Sequence, residues 1–272
     1  GAPVLEKGIC WSQTPDPDLD DSHASVSAGT DTYTCTLTGL SSGSRYYARA
    51  YVKNEVGTGY GEQVVFNTKV TDIEGNMYGT VYIGNQVWMT ENLRTTRLND
   101  DTQIPNIIDN DEWISVSTSA YCWYNNDKTF KPTYGALYNW FTINSGKLCP
   151  AGWHVPSDTE FNSLEIALGM QADQSHVWGW RGTNHGFKMK NNTGWGENGN
   201  GNNSSGFSAI PGGYRFGADG TFVFQTTITY WWASTENDAD RGWYRRLDSA
   251  SDQVYRASTS KKGGKYVRCV KD

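Results

Sequence analysis

Alternation of apolar and polar positions is clearest at residues 46–53. Tyr46, Ala48, Ala50 and Val52 interleave there with Tyr47, Arg49, Tyr51 and Lys53. Period-2 patterning of this kind predicts a strand with one buried side. Just upstream, Leu40, Gly43 and Tyr46 have the spacing of a tyrosine corner, in which a Tyr hydroxyl ties the chain as it crosses between sheets. Asn54-Glu55-Val56-Gly57 reads as a hairpin turn into residues 61–68, and Cys10-Trp11-Ser12 as part of an earlier strand. Asp72–Asn76 reads as a turn. After it, Thr80–Ile83 and Gln86–Met89 flank Gly84-Asn85, a two-residue hairpin turn with glycine first.

Helical grammar is sparse and concentrated. Ser157 and Glu160 form a capping box, each satisfying a free amide at the other's position. Phe161, Leu164 and Leu168 follow at helical spacing, and Gly169 is placed to end the helix. Residues 134–140 read as a second, short helix with Leu137, Trp140 and Phe141 inward. Residues 191–206 are rich in Gly and Asn, with almost nothing apolar except Trp195, which predicts a long surface loop. Residues 206–215, 230–236 and 266–270 read as core strands.

Composition sharpens this picture. The 272 residues suffice for two domains. Twelve Trp, 16 Tyr and 30 Gly with few Leu suit short strands joined by many turns. A net charge of -6 with scattered Lys and Arg argues against nucleic acid, which selects a clustered basic face. Lys261, Lys262 and Lys265 sit among Gly and Ser and read as a solvated turn. No apolar run approaches the roughly 20 residues of a membrane helix.

Candidate chemistry is thin. Asp16, Asp18 and Asp20 alternate like a calcium loop, but Asp21 and Ser27 stand where an EF-hand needs Gly and Glu. Gly57, Gly59 and Gly61 precede no helix that would receive a pyrophosphate. None of the four His, at 23, 154, 176 and 185, has zinc-type spacing, and His154 reads as structural. The acidic stretches 109–112 and 236–240 read as solvated loops, with cation binding as the alternative. Cys10 and Cys35 are equally compatible with a bridge and with buried thiols, and Cys122 among aromatics reads as an inert core thiol. No cofactor cradle and no metal site is recognised.

Two resemblances add to this reading. Residues 2–68, with the phrases Cys10-Trp11-Ser12 and Tyr46-Tyr47-Ala48-Arg49-Ala50-Tyr51, resemble a fibronectin type III-like module of bacterial surface proteins. There is no room for its first two strands before Ala2, so an incomplete sandwich is expected, completed by sequence upstream. An open edge of this kind invites strand pairing. Further on, the phrases 83–93, 134–140, 148–160, 206–215, 230–236 and 266–270 occur in the order found in the Fibrobacter succinogenes major paralogous domain. That family comprises secreted and lipoprotein-like surface proteins, and it is similar to C-type-lectin-like folds. The expected organisation is therefore an all-β module at 1–68 and an α+β, lectin-like domain at 69–272. The fold analogy implies that the first and last strands meet and that Cys149 and Cys269 form a disulfide, the rival being two reduced buried thiols.

The formylglycine-generating oxidases share this fold and resemble residues 232–236 and 267–269, but they use a pair of reactive cysteines that is not seen here. The calcium and sugar phrases of C-type lectins are absent as well. The functional expectation is a non-enzymatic surface module that binds a glycan or a surface protein through aromatic loops. Trp178, Trp180 and Trp195 with Asn191, Asn192 and Arg215 are the candidate contacts. The alternatives are a structural part of an exported assembly and, remotely, an oxidase. An extracellular or outer-membrane location with an upstream lipid anchor is expected.

Overall fold

The structure is a computed structural model that describes every residue except Gly1, Ala28, Thr30, Asp31 and Glu197. Two units separate along the chain, Gly1–Lys69 and Val70–Asp272. In the first, β1 (Glu6–Ser12), β2 (Ser22–Val26), β3 (Arg45–Lys53), β4 (Thr58–Tyr60) and β5 (Val64–Asn67) form one sheet. Strand β3 is central, with β1 on one side and β4 and β5 sharing the other. The Tyr46 hydroxyl accepts the Ser41 amide at 3.0 Å, the local tie its spacing predicts. The expected one-sided burial of β3 does not hold. Tyr46 and Tyr51 are both buried although they lie on opposite faces, and Val52 is 41% exposed. Cys10 and Cys35 are unbridged, and their thiols face the carbonyls of Pro17 and Ala24.

The second unit is mixed α and β, mostly sheet. It opens with β6 (Val70–Thr71), β7 (Met77–Tyr78), β8 (Thr80–Ile83) and β9 (Gln86–Met89). The hairpin β8–β9 turns at Gly84-Asn85 in the expected register. Next come α1 (Asn110–Ser115), β10 (Tyr121–Cys122), α2 (Lys131–Tyr134), β11 (Leu137–Tyr138), α3 (Trp140–Ile143) and β12 (Trp153–His154). The short helix expected at 134–140 is thus split. Gly135 turns out of α2 at φ 79, where a Cβ would meet the Leu93 carbonyl at 2.7 Å, so the chain leaves the helix and enters β11. Trp140 is buried, whereas Phe141 is only partly so.

Helix α4 (Asp158–Ala167) is as the sequence predicts, capped by Ser157 and Glu160 in both directions. After it come α5 (Ala172–Ser175), β13 (Gly179–Arg181), α6 (His185–Met189), β14 (Gly212–Arg215), β15 (Phe222–Gln225), β16 (Ile228–Glu236), β17 (Arg241–Asp248), β18 (Ser251–Ser260) and β19 (Val270–Lys271). The core strand expected at 206–215 shrinks to Gly212–Arg215, and that expected at 266–270 to Val270, which continues into Lys271. Strand β19 lies between β12 and β9 in a four-stranded sheet, so the end of the chain meets its beginning in this unit. A six-stranded sheet runs in the order β13-β18-β17-β16-β14-β15. Cys149 and Cys269 are bridged, 120 residues apart.

Helix α4 is pinned to the large sheet by charge as well as by apolar packing. Phe161 and Leu164 join Trp88, Trp231 and Val254 in one core. Beside them, Asp158, Asn162 and Glu165 recur at helical spacing on one face. Arg245 of β17 donates to Glu165 Oε1 at 2.8 Å, Asp158 Oδ1 at 2.7 Å and Asn162 Oδ1 at 2.8 Å. Arg256 of β18 donates to Asp158 Oδ2 at 2.7 Å, and Arg181 of β13 to Glu165 Oε2 at 2.5 Å. Three adjacent strands therefore grip one helix. Burial would raise the pKa of Asp158, but hydrogen bonds from Arg256 and the charge of Arg245 hold it below its ordinary value.

Two stability predictions follow from these ties. Closing a loop this long restricts the unfolded chain, so Cys269→Ser or reduction should cost about 4–5 kcal/mol in the entropy treatment. A reductant-insensitive denaturation midpoint for the second unit would contradict this. Glu165→Ala leaves two buried guanidiniums short of a carboxylate and should cost about 3–5 kcal/mol in urea unfolding. A loss below about 1 kcal/mol would show the network to be dispensable.

Candidate functional site

Side chains alternate across a strand, so the face of the large sheet opposite α4 collects the residues between the buried arginines. There Trp180 of β13 meets Tyr255 of β18 with ring centroids 5.0 Å apart. Tyr255 meets Tyr244 of β17 at 6.3 Å, and Tyr244 meets Tyr230 of β16 at 5.3 Å. Tyr230 meets Tyr214 of β14 at 4.4 Å, and Tyr214 stacks on Phe224 of β15 at 6.2 Å. One ladder of rings thus crosses all six strands. Its ends are open: Trp180 is 36% and Phe224 51% exposed, while Tyr230 at the centre is buried.

Two cations sit within this ladder. The Arg246 guanidinium lies 5.3 Å from the Trp180 ring centroid, 5.8 Å from Tyr230 and 5.6 Å from Tyr255. Its Nη2 donates to Asp248. Lys265 is 2% exposed, with its ammonium 4.3 Å from Trp232 and 5.2–5.3 Å from Tyr214, Tyr230 and Tyr244. Burial pulls its pKa down to about 7. Burial likewise raises the phenols of Tyr214, Tyr230 and Tyr244, so their hydroxyls keep their protons at neutral pH. The face offers ring surface, hydroxyl donors and, at Arg246, a fixed positive charge.

The six residues singled out from sequence do not converge. Trp180 belongs to the ladder. Trp178, 52% exposed, packs on Trp243 at 5.1 Å, on the opposite side of the sheet, where Arg256 also lies over Trp243. Trp195 is buried and donates its indole N–H to the Ala209 carbonyl at 3.0 Å, so the loop 191–206 uses it as an anchor. Arg215 is fully buried and clamps the carbonyls of Ile107, Ile108, Asp109 and Gly220. Asn191 and Asn192 lie on the same loop, with the Asn192 amide bonded to the Asn191 side chain. The Lys cluster is also corrected: Lys261 and Lys265 are buried, Lys261 against Glu236 and Trp140.

Other polar features are internal ties. Asp109 caps α1, and Asp238 accepts the Asp240 amide. The buried Cys122 thiol is pushed up to about 12 by desolvation, which keeps it unreactive at neutral pH. Among the described residues no group of three or more His, Cys, Asp or Glu converges on a metal position. A cavity of about 490 Å³ is lined by Ser117, Phe141, Asp240, Lys261 and Lys262. His154 of β12 bridges Glu160 at 2.7 Å and Asp272 at 2.5 Å.

The family model described as the Fibrobacter succinogenes major domain matches residues 81–271. No curated protein and no solved structure matches the chain.

The His154 bridge gives stability a pH dependence. Burial would lower its pKa, but the hydrogen bonds it donates to Asp272 and Glu160, with their negative charge, outweigh burial and raise it. A raised folded value means the stabilisation is full below the unfolded pKa of about 6.5 and is lost as pH climbs through the folded value. His154→Gln should therefore lower the melting temperature at about pH 6 and have little effect at about pH 9. Equal losses at both would remove the charged bridge from the account.

Proposed function

The chain belongs to the Fibrobacter succinogenes major domain family across residues 81–271, and from that premise we propose that it is a non-enzymatic carbohydrate-binding protein of the bacterial surface. The observation that carries this reading is the ladder from Trp180 to Phe224 across the large sheet, exposed at its two ends. Aromatic rings supply large contact area at low entropic cost, and ring faces suit the C–H faces of sugars. Proton-bearing tyrosine hydroxyls beside them suit sugar oxygens. The site is a sheet face, not the loop at 191–206, which is folded onto the body by Trp195.

Several features support the wider reading. The return of β19 between β9 and β12, locked by Cys149–Cys269, favours a lectin-like fold. The Tyr46–Ser41 tie favours a fibronectin III-like module in the first unit. A bridged Cys149–Cys269 pair suits an oxidising compartment and hence export. It also occupies the cysteines an oxidase would need, leaving the deeply buried Cys122 as the second unit's free thiol.

The test is a glycan array followed by titration calorimetry on the best ligand. Trp180→Ala and Tyr255→Ala should each weaken binding about tenfold or more, about 1.4 kcal/mol per factor of ten, with an unchanged circular dichroism spectrum. A silent array, or binding indifferent to both substitutions, would refute the proposal.

A further inference from the structure

We infer that the ligand of this face is an acidic polysaccharide, a polymer whose sugar rings carry carboxylates, and that Arg246 reads those carboxylates. This rests on the carbohydrate-binding reading of the same face.

Arg246 stands in the ladder over three of its rings. Its guanidinium has five N–H donors. Asp248 receives Nη2, and Nη1 forms no hydrogen bond among the described residues, while Nε is enclosed and lies out of a ligand's reach. The side chain keeps 25% of its surface exposed. A planar fork with spare donors matches a carboxylate in two parallel bonds, which an ammonium does not. An apolar protein partner on this face would bury that guanidinium with donors unsatisfied, at the cost of desolvation. A sugar carboxylate meeting the guanidinium end-on, at Nη1 and the second Nη2 proton, supplies an acceptor there.

Charge on the face points the same way. Arg246 carries a permanent charge on the ladder, beside Asp248, in a chain whose net charge is -6. Lys265 is enclosed, with four rings within 5.3 Å of its ammonium and no ion pair to it among the described residues. The positive field is therefore local, and it coincides with the rings. The ladder spans six strands, about 24 Å at the usual strand spacing, which is a length for a chain and not for one sugar.

Calorimetry with polygalacturonate, its methyl-esterified form and polyglutamate tests the inference. Polygalacturonate should bind the intact protein about tenfold tighter than the ester, and the gap should close in about 0.5 M salt. Arg246→Gln should close the gap too. Asp248→Asn removes the competing carboxylate and should tighten binding of polygalacturonate but not of the ester. Equal binding of acid and ester overturns the acidic specificity and leaves carbohydrate binding standing. Polyglutamate bound as tightly as polygalacturonate overturns the commitment to sugar. If neither pectin form binds, the acidic inference falls, and the array separately decides whether the face binds carbohydrate at all. Should Arg246→Gln fail to fold, unchanged affinity in Asp248→Asn overturns the role of Arg246.

Discussion

Three arginines on three neighbouring strands converge on two carboxylates of one helix, and the large sheet takes its orientation from that grip. Arg181, Arg245 and Arg256 come from β13, β17 and β18, and Asp158 and Glu165 from α4. Taking these charges out of water is costly, and their mutual attraction only roughly repays it. What the arrangement supplies is specificity. A one-residue slip in any of the three strands would turn its arginine to the opposite face and expose the ring beside it to the core.

That coupling links the buried network to the open face. Trp180 precedes Arg181, Tyr255 precedes Arg256, and Tyr244 and Arg246 flank Arg245. Each arginine that points to the helix thereby sets a ring or a guanidinium outward. The geometry of the aromatic ladder is a by-product of the register that the ion network enforces, and it is held on strands and not on loops. A rigid platform loses little freedom when a ligand docks.

Sequence made part of this legible. Helix α4 could be placed because capping is local chemistry, and the β8–β9 hairpin because its turn needs particular residues. Family phrases located the disulfide. The long strands β17 and β18 stayed hidden because arginines interrupt their buried side, Arg245 before Leu247 and Arg256 after Val254, while tyrosines take the half-open one, so no continuous apolar stripe marks them. Lys265 was misread for a related reason. Lysine among Gly and Ser has the composition of a turn, and only tertiary packing closes four rings around it. Trp195 in a Gly/Asn stretch looked available, yet the same isolation makes it the natural anchor for a loop with nothing else apolar.

The aromatic composition has a cause that is independent of any ligand. Buried cations in this unit are roofed by rings: Arg215 by Trp113, Arg245 by Phe161, Arg256 by Trp243 and Arg268 by Phe207. A ring quadrupole attracts a cation without adding a second charge that must itself be desolvated, and the attraction grows as water is excluded. Much of the Trp and Tyr content is thus spent on solvating internal charge. Rings that face a buried cation on one side have only the other side left for a ligand. In the ladder this restricts Tyr214, Tyr230 and Tyr244, which also face Lys265, and leaves Trp180 and Phe224 as the rings with the most free surface. Recognition should therefore be strongest at the two ends of the platform, with Arg246 between them, and a ligand that satisfies all three must be long.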